Sequence, residues 1–94
     1  MILYSLLRMR YKLSRFNQVD QAAFELIDEL VELLLEVDFR FGYIPEEQPK
    51  RLFRFLVFVK GDPLSPSQKN LLQGLLNVTD TECRNETQKT KVHL

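Results

Sequence analysis

The chain has no tryptophan, one cysteine, one histidine, three glycines and four prolines among its 94 residues. Each scarcity excludes something. A single cysteine, Cys83, cannot build an intrachain disulfide framework or a cysteine-based zinc site. A single histidine, His93, excludes the multi-histidine metal motifs. An excess of one charge is also missing. Thirteen Lys and Arg offset thirteen Asp and Glu, so no global positive field is available to coat nucleic acid. No charge-free apolar run approaches the roughly 18 residues of a membrane span. The apolar start, Met1 to Leu7, comes before its charges, the reverse of a secretory signal. The expectation is a soluble, intracellular, cytoplasmic protein in which the sequons at Asn77 and Asn85 are chance matches.

What remains is ordinary globular material. The apolar fraction is 45% and the charged fraction 28%, which argues against wholesale disorder and for one domain with a modest core. Gly and Pro punctuate the chain unevenly. None precedes Gly42; they then gather at Gly42, Pro45 and Pro49, and at Gly61, Pro63 and Pro66. This divides the chain into a long section, 1–41, a middle segment, 50–60, a further stretch, 66–78, and a polar end. The organisation expected is a helical domain over 1–78 and a disordered tail over 79–94, which shows no apolar period.

The long section carries two apolar seams. Ile2, Leu6, Met9, Leu13 and Phe16 are spaced 4, 3, 4, 3, and Ala23, Ile27, Leu30, Leu34, Val37 and Phe41 continue the same alternation. Such spacing lines one stripe of a helix. The two runs are in register, so 2–41 reads either as one long helix or as a hairpin broken near Asn17–Asp20. The break is favoured, because Asn and Asp favour helix caps and an unpaired carboxylate buried on the seam is costly. Residues 7–13 and 52–59 also fit strands: the first alternates with period two, and the second is rich in β-branched and aromatic residues. Helix is the better reading of both. Pro49 suits a first helical position, Gly61 a stop, and Leu52, Phe55, Leu56 and Val59 share a face. Phe53, Val57 and Phe58 lie off that face, which implies burial on several sides. The clearest local signal is Ser65-Pro66-Ser67-Gln68, a capping box ahead of Leu71, Leu72, Leu75 and Leu76. The fold class expected is all-α, a small three- or four-helix bundle; the alternative is α+β with strands near 7–13 and 52–59.

Charge is segregated along the chain. Arg8, Arg10, Lys12 and Arg15 carry the first sixteen residues with no acid among them; residues 17–49 hold nine acids against Arg40; residues 50–78 are basic again. On a helical wheel Glu25, Glu29, Glu32 and Glu36 form an acidic stripe opposite the second seam, and Arg8, Lys12 and Arg15 form a basic stripe flanking the first. Both are candidate interaction surfaces, since segregated charge steers encounter between partners. Leu33, Leu35 and Phe39 lie off the seam with no obvious internal partner and are candidate dimer contacts; Phe53 and Phe58 add to the apolar surplus. Small domains commonly remedy a limited core by self-association.

Catalytic and cofactor signatures are missing. No Gly-rich phosphate loop, nucleophile elbow or HExxH pattern occurs. No catalytic residue, metal or cofactor is expected. Carboxylates at i, i+4, such as Glu25/Glu29 and Asp28/Glu32, lack the histidine that bundle metal sites pair with Glu. The function expected is therefore non-enzymatic: a protein-interaction or adaptor module, self-associating through helix faces as a homodimer or joined to a protein partner. The alternative is a small nucleic-acid-binding regulator using the basic N-terminal stripe, where Arg8, Arg10, Lys12 and Arg15 interleave with Tyr4, Tyr11 and Phe16, and Arg51 and Arg54 stand near Phe53 and Phe55.

Overall fold

The computed structural model describes residues 1–15 and 20–77. Phe16, and the 79–94 segment with Cys83 and His93, lie outside them. Four helices follow in order: α1 (Ile2–Arg15), α2 (Gln21–Phe41), α3 (Pro49–Lys60) and α4 (66–77). Residues 7–13 and 52–59 are helical, and no strand occurs among the described residues. The protein is a small all-α bundle.

The helix boundaries follow from local chemistry. Asp20 caps α2: its carboxylate accepts from the backbone N–H of Ala22 at 3.1 Å and of Ala23 at 3.3 Å. A continuous helix would have placed this residue on the seam; the break leaves it exposed. Helix α2 ends at Gly42, whose φ of +78° lies in the left-handed region while its N–H donates to Asp38 O. Helix α3 begins on Pro49 and ends the same way at Gly61, φ +83°. A Cβ at Gly42 would meet nothing within 4 Å. The Gly42→Ala variant therefore isolates the backbone cost of that conformation, about 1 kcal/mol. It should lower the thermal midpoint by roughly 4–8 °C in a domain of this size, as followed by circular dichroism.

The capping box at α4 forms in full. Ser65 N donates to Gln68 Oε1 at 2.8 Å, and Gln68 N donates to Ser65 Oγ at 3.2 Å. Together they satisfy two backbone donors that a helix start otherwise leaves unpaired.

The core joins all four helices. Ile2 and Leu6 of α1, Ile27, Leu30, Val31, Leu34 and Val37 of α2, Leu52 and Leu56 of α3, and Leu72 and Leu76 of α4 are buried in one cluster with Leu64. Helices α1 and α2 pack as an antiparallel hairpin. Arg10 meets Asp28 at 2.8 Å, and the Ile2 N–H, at the other end of α1, donates to Glu46 Oε1 at 2.6 Å, just past the end of α2. The turn into α3 is held by aromatic rings. Phe41 and Phe55 stack with centroids 4.0 Å apart, and the Arg51 guanidinium lies over both Tyr43 and Phe55.

Three expectations need correction. Leu33 does have an internal partner: it is half-buried and packs against the core cluster, because the neighbouring helices cover a wider arc of α2 than a two-helix seam requires. Asp38 and Phe39 fall off the second seam, from which a loss of helical regularity near residue 37 is expected before the stop at Gly42; helix α2 instead stays helical to Phe41, with both side chains exposed. Helix α3 is not covered on all its apolar sides, since Phe58 is 68% exposed.

Candidate interaction surface

The acidic stripe is displayed along α2. Glu25, Glu29 and Glu32 are exposed and Glu36 is half-exposed. The four are not equivalent. Glu36 Oε1 accepts from Arg40 Nε at 2.7 Å, one turn on. Glu29 Oε1 accepts from Gln68 Nε2 at 2.7 Å, which ties α2 to the start of α4. Glu25 accepts only a long, 3.3 Å contact from Gln21. Glu25 and Glu32 are thus the carboxylates presented outward.

The basic stripe is displayed along α1. Arg8, Lys12 and Arg15 are exposed. Arg15 Nη1 donates to the Tyr11 hydroxyl at 3.1 Å and its guanidinium sits 5.7 Å from that ring. Arg8 and Lys12 line a groove of about 330 Å³ with Tyr4, Ser5, Met9 and Leu75, so α1 and α4 are neighbours there. A second basic groove, of about 530 Å³, runs between the start of α3 and α4. It is lined by Lys50, Arg51 and Arg54 with Phe53, Pro49, Gln48 and Gln73. No carboxylate lines either groove.

Of the candidate dimer contacts, Phe39 is 84% exposed and Leu35 48%; Leu33 faces inward. Their positions follow from the Arg10–Asp28 pair, which marks the line where α1 and α2 meet on their outer side. Seven residues are close to two helical turns, so Leu35, seven after Asp28, returns to that line on α2. Leu3, seven before Arg10, returns to it on α1. Because the helices are antiparallel, Leu3 and Leu35 reach the same height. Phe39 lies one turn beyond Leu35. On α1, Leu7 and Tyr11 continue the outward surface beside Tyr4, all three exposed.

The pairing of Arg10 with Asp28 was not anticipated, although its residue types and places on the two seams' flanks were visible. Of the exposed α1 set, Leu7 and Tyr11 fall within the period-two reading of 7–13, and Tyr4 and Tyr11 are among the rings interleaved with the basic stripe. Among the described residues, no group of three or more His, Cys, Asp or Glu is placed to hold a metal ion. No helix among them is long and apolar enough to cross a membrane. No family model, curated protein or solved structure matches the chain.

Proposed function

We propose that this chain is a non-enzymatic protein-interaction module that self-associates through the outer face of the α1–α2 hairpin. The observation that carries the reading is the exposure of Leu35, Phe39, Tyr4, Leu7 and Tyr11 on that hairpin. Isolated exposed apolar side chains need no explanation, but a group of large ones on one face bordered by charge is what an interface looks like before its partner arrives. Sedimentation equilibrium at about 100 μM should show dimers that dissociate on dilution, as mass action requires. A single species at monomer mass throughout would overturn self-association.

A second reading, polyanion binding, is favoured by one observation: the two basic grooves hold Arg8, Lys12, Lys50, Arg51 and Arg54 without a lining carboxylate, and each includes an aromatic ring, Tyr4 or Phe53. Cations beside rings suit phosphate contact and base stacking. The two readings separate on a heparin column at low salt. The interaction reading expects the protein to pass unretained. Retention that Arg51→Glu with Arg54→Glu abolishes would favour the polyanion.

A further inference from the structure

The hairpin face is asymmetric in charge, and that asymmetry selects a partner. Across the face, perpendicular to the helices, the order of residues is fixed by the helical period and by the Arg10–Asp28 line. On α2, moving away from α1, Leu35 and Phe39 come first and Glu32 and Glu25 follow. On α1, moving away from α2, Leu3, Leu7, Tyr11 and Tyr4 come first, then Arg15, Arg8 and Lys12. Lys12 is carried past the face into the groove shared with Leu75 of α4, so the face has an acidic rim at Glu25 and Glu32, an apolar centre, and a basic rim at Arg15 and Arg8 on its far edge.

Heights along the helices also agree. With Arg10 level with Asp28 and the helices antiparallel, Arg15, Lys12 and Arg8 stand level with Ala23, Leu26 and Leu30. That span of α2 carries Glu25, and Glu32 stands two residues, about 3 Å, beyond it. The two rims run alongside each other at equal height.

A surface of this kind is complementary to itself in one orientation. Turn a second copy about a two-fold axis parallel to the helices and set it face to face. Left and right exchange while height is kept, so each acidic rim lands on the partner's basic rim and the apolar centres meet. A two-fold axis in the plane of the face but across the helices would set acid on acid and base on base. We infer that the partner of this face is a second copy of this chain, related by a two-fold axis along the helices, with Glu25 and Glu32 of each protomer meeting Arg8 and Arg15 of the other. This rests on the reading of the hairpin face as the contact surface and adds the partner's orientation and its charge pairing. A two-fold contact is self-complementary by construction, and like-charge juxtaposition is what suppresses the wrong orientation.

Charge exchange tests it. Glu25→Lys with Glu32→Lys gives a protomer with two basic rims; Arg8→Glu with Arg15→Glu gives one with two acidic rims. All four positions are exposed, and circular dichroism melts should confirm that each variant keeps the wild-type midpoint. Each variant alone is expected to dimerise at least tenfold more weakly than wild type. An equimolar mixture is expected to recover the wild-type dissociation constant as a heterodimer, because both contacts become acid-on-base again. Sedimentation velocity reads all three samples. Variants that dimerise as tightly as wild type would overturn the orientation while leaving self-association intact. So would a mixture that stays as weak as its components. A wild-type protein that is monomeric throughout would remove the underlying reading itself.

Discussion

Replacing Gln68 with alanine should lower the thermal midpoint by about 15 °C, the largest loss of any single polar substitution in this fold. Gln68 is only 2% exposed and uses every group it has. Its Oε1 accepts from Ser65 N at 2.8 Å and from Lys60 Nζ at 3.0 Å, and its Nε2 donates to Glu29 at 2.7 Å. One side chain thus closes the capping box, holds the end of α3 and joins α4 to α2. Alanine removes the acceptor from a half-buried backbone N–H, takes a partner from two charged groups and opens space beside the core. A capping loss is about 1 kcal/mol, an orphaned buried donor about 1–3. A total near 3 kcal/mol, at roughly 4–8 °C each, gives the stated shift. Ser65→Ala is the control, since it removes only the reciprocal hydroxyl and should cost about 1 kcal/mol. Equal losses for the two variants, measured by urea denaturation, would mean that the contacts to Glu29 and Lys60 contribute nothing.

Gln68 also shows where sequence reasoning stops. The spacing Ser65-x-x-Gln68 announces the cap, because that chemistry is local. The bond to Glu29 spans 39 residues and the Glu46 cap on Ile2 spans 44, and nothing in local spacing encodes either. Asp20 was legible for the same reason as Ser65: a capping carboxylate acts on N–H groups two and three residues on. The seams were legible as stripes but too narrow. A 4, 3 alternation describes a helix meeting one neighbour, whereas α2 meets several. Val31 and Leu33 accordingly join the core or its edge from positions the seam left out. Phe58 errs in the other direction. Periodicity places it off the inner face of α3, but periodicity does not say how far that side is covered; among the described residues the tilted Phe41 ring stands 6.1 Å away and Phe58 stays 68% exposed. The exposure of most stripe residues was legible, because an outer-arc position needs only the helical period; that Glu36 is half-buried and that Glu29 is tied to Gln68 was not. How the two stripes stand relative to one another was not legible either, because it depends on how α1 docks against α2 and α4.

Leu35→Glu and Phe39→Glu should each convert the protein to monomer without unfolding it, while Leu33→Glu should unfold it. The three positions lie within two turns of α2, and the difference is one of surroundings. Leu35 and Phe39 point outward at 48% and 84% exposure. In the free protomer a carboxylate at either position stays in water and costs the fold little. In the dimer it would lie in the apolar centre with no cation beside it, since the basic rim of the partner is matched to Glu25 and Glu32. Desolvating an unpaired carboxylate costs several kcal/mol, and about 2.7 kcal/mol already weakens a dissociation constant a hundredfold. Leu33 instead packs against the core, so its carboxylate would face the same penalty inside the protomer, where marginal stability of about 5–10 kcal/mol leaves little margin. Sedimentation velocity and thermal melts on all three variants check this. Monomers from Leu35→Glu and Phe39→Glu with wild-type midpoints, beside a strongly destabilised Leu33→Glu, are the expected result. If Leu35→Glu also lost several degrees, Leu35 would belong to the interior of the hairpin, and the contact face would shrink to Phe39 and the α1 side chains Tyr4, Leu7 and Tyr11.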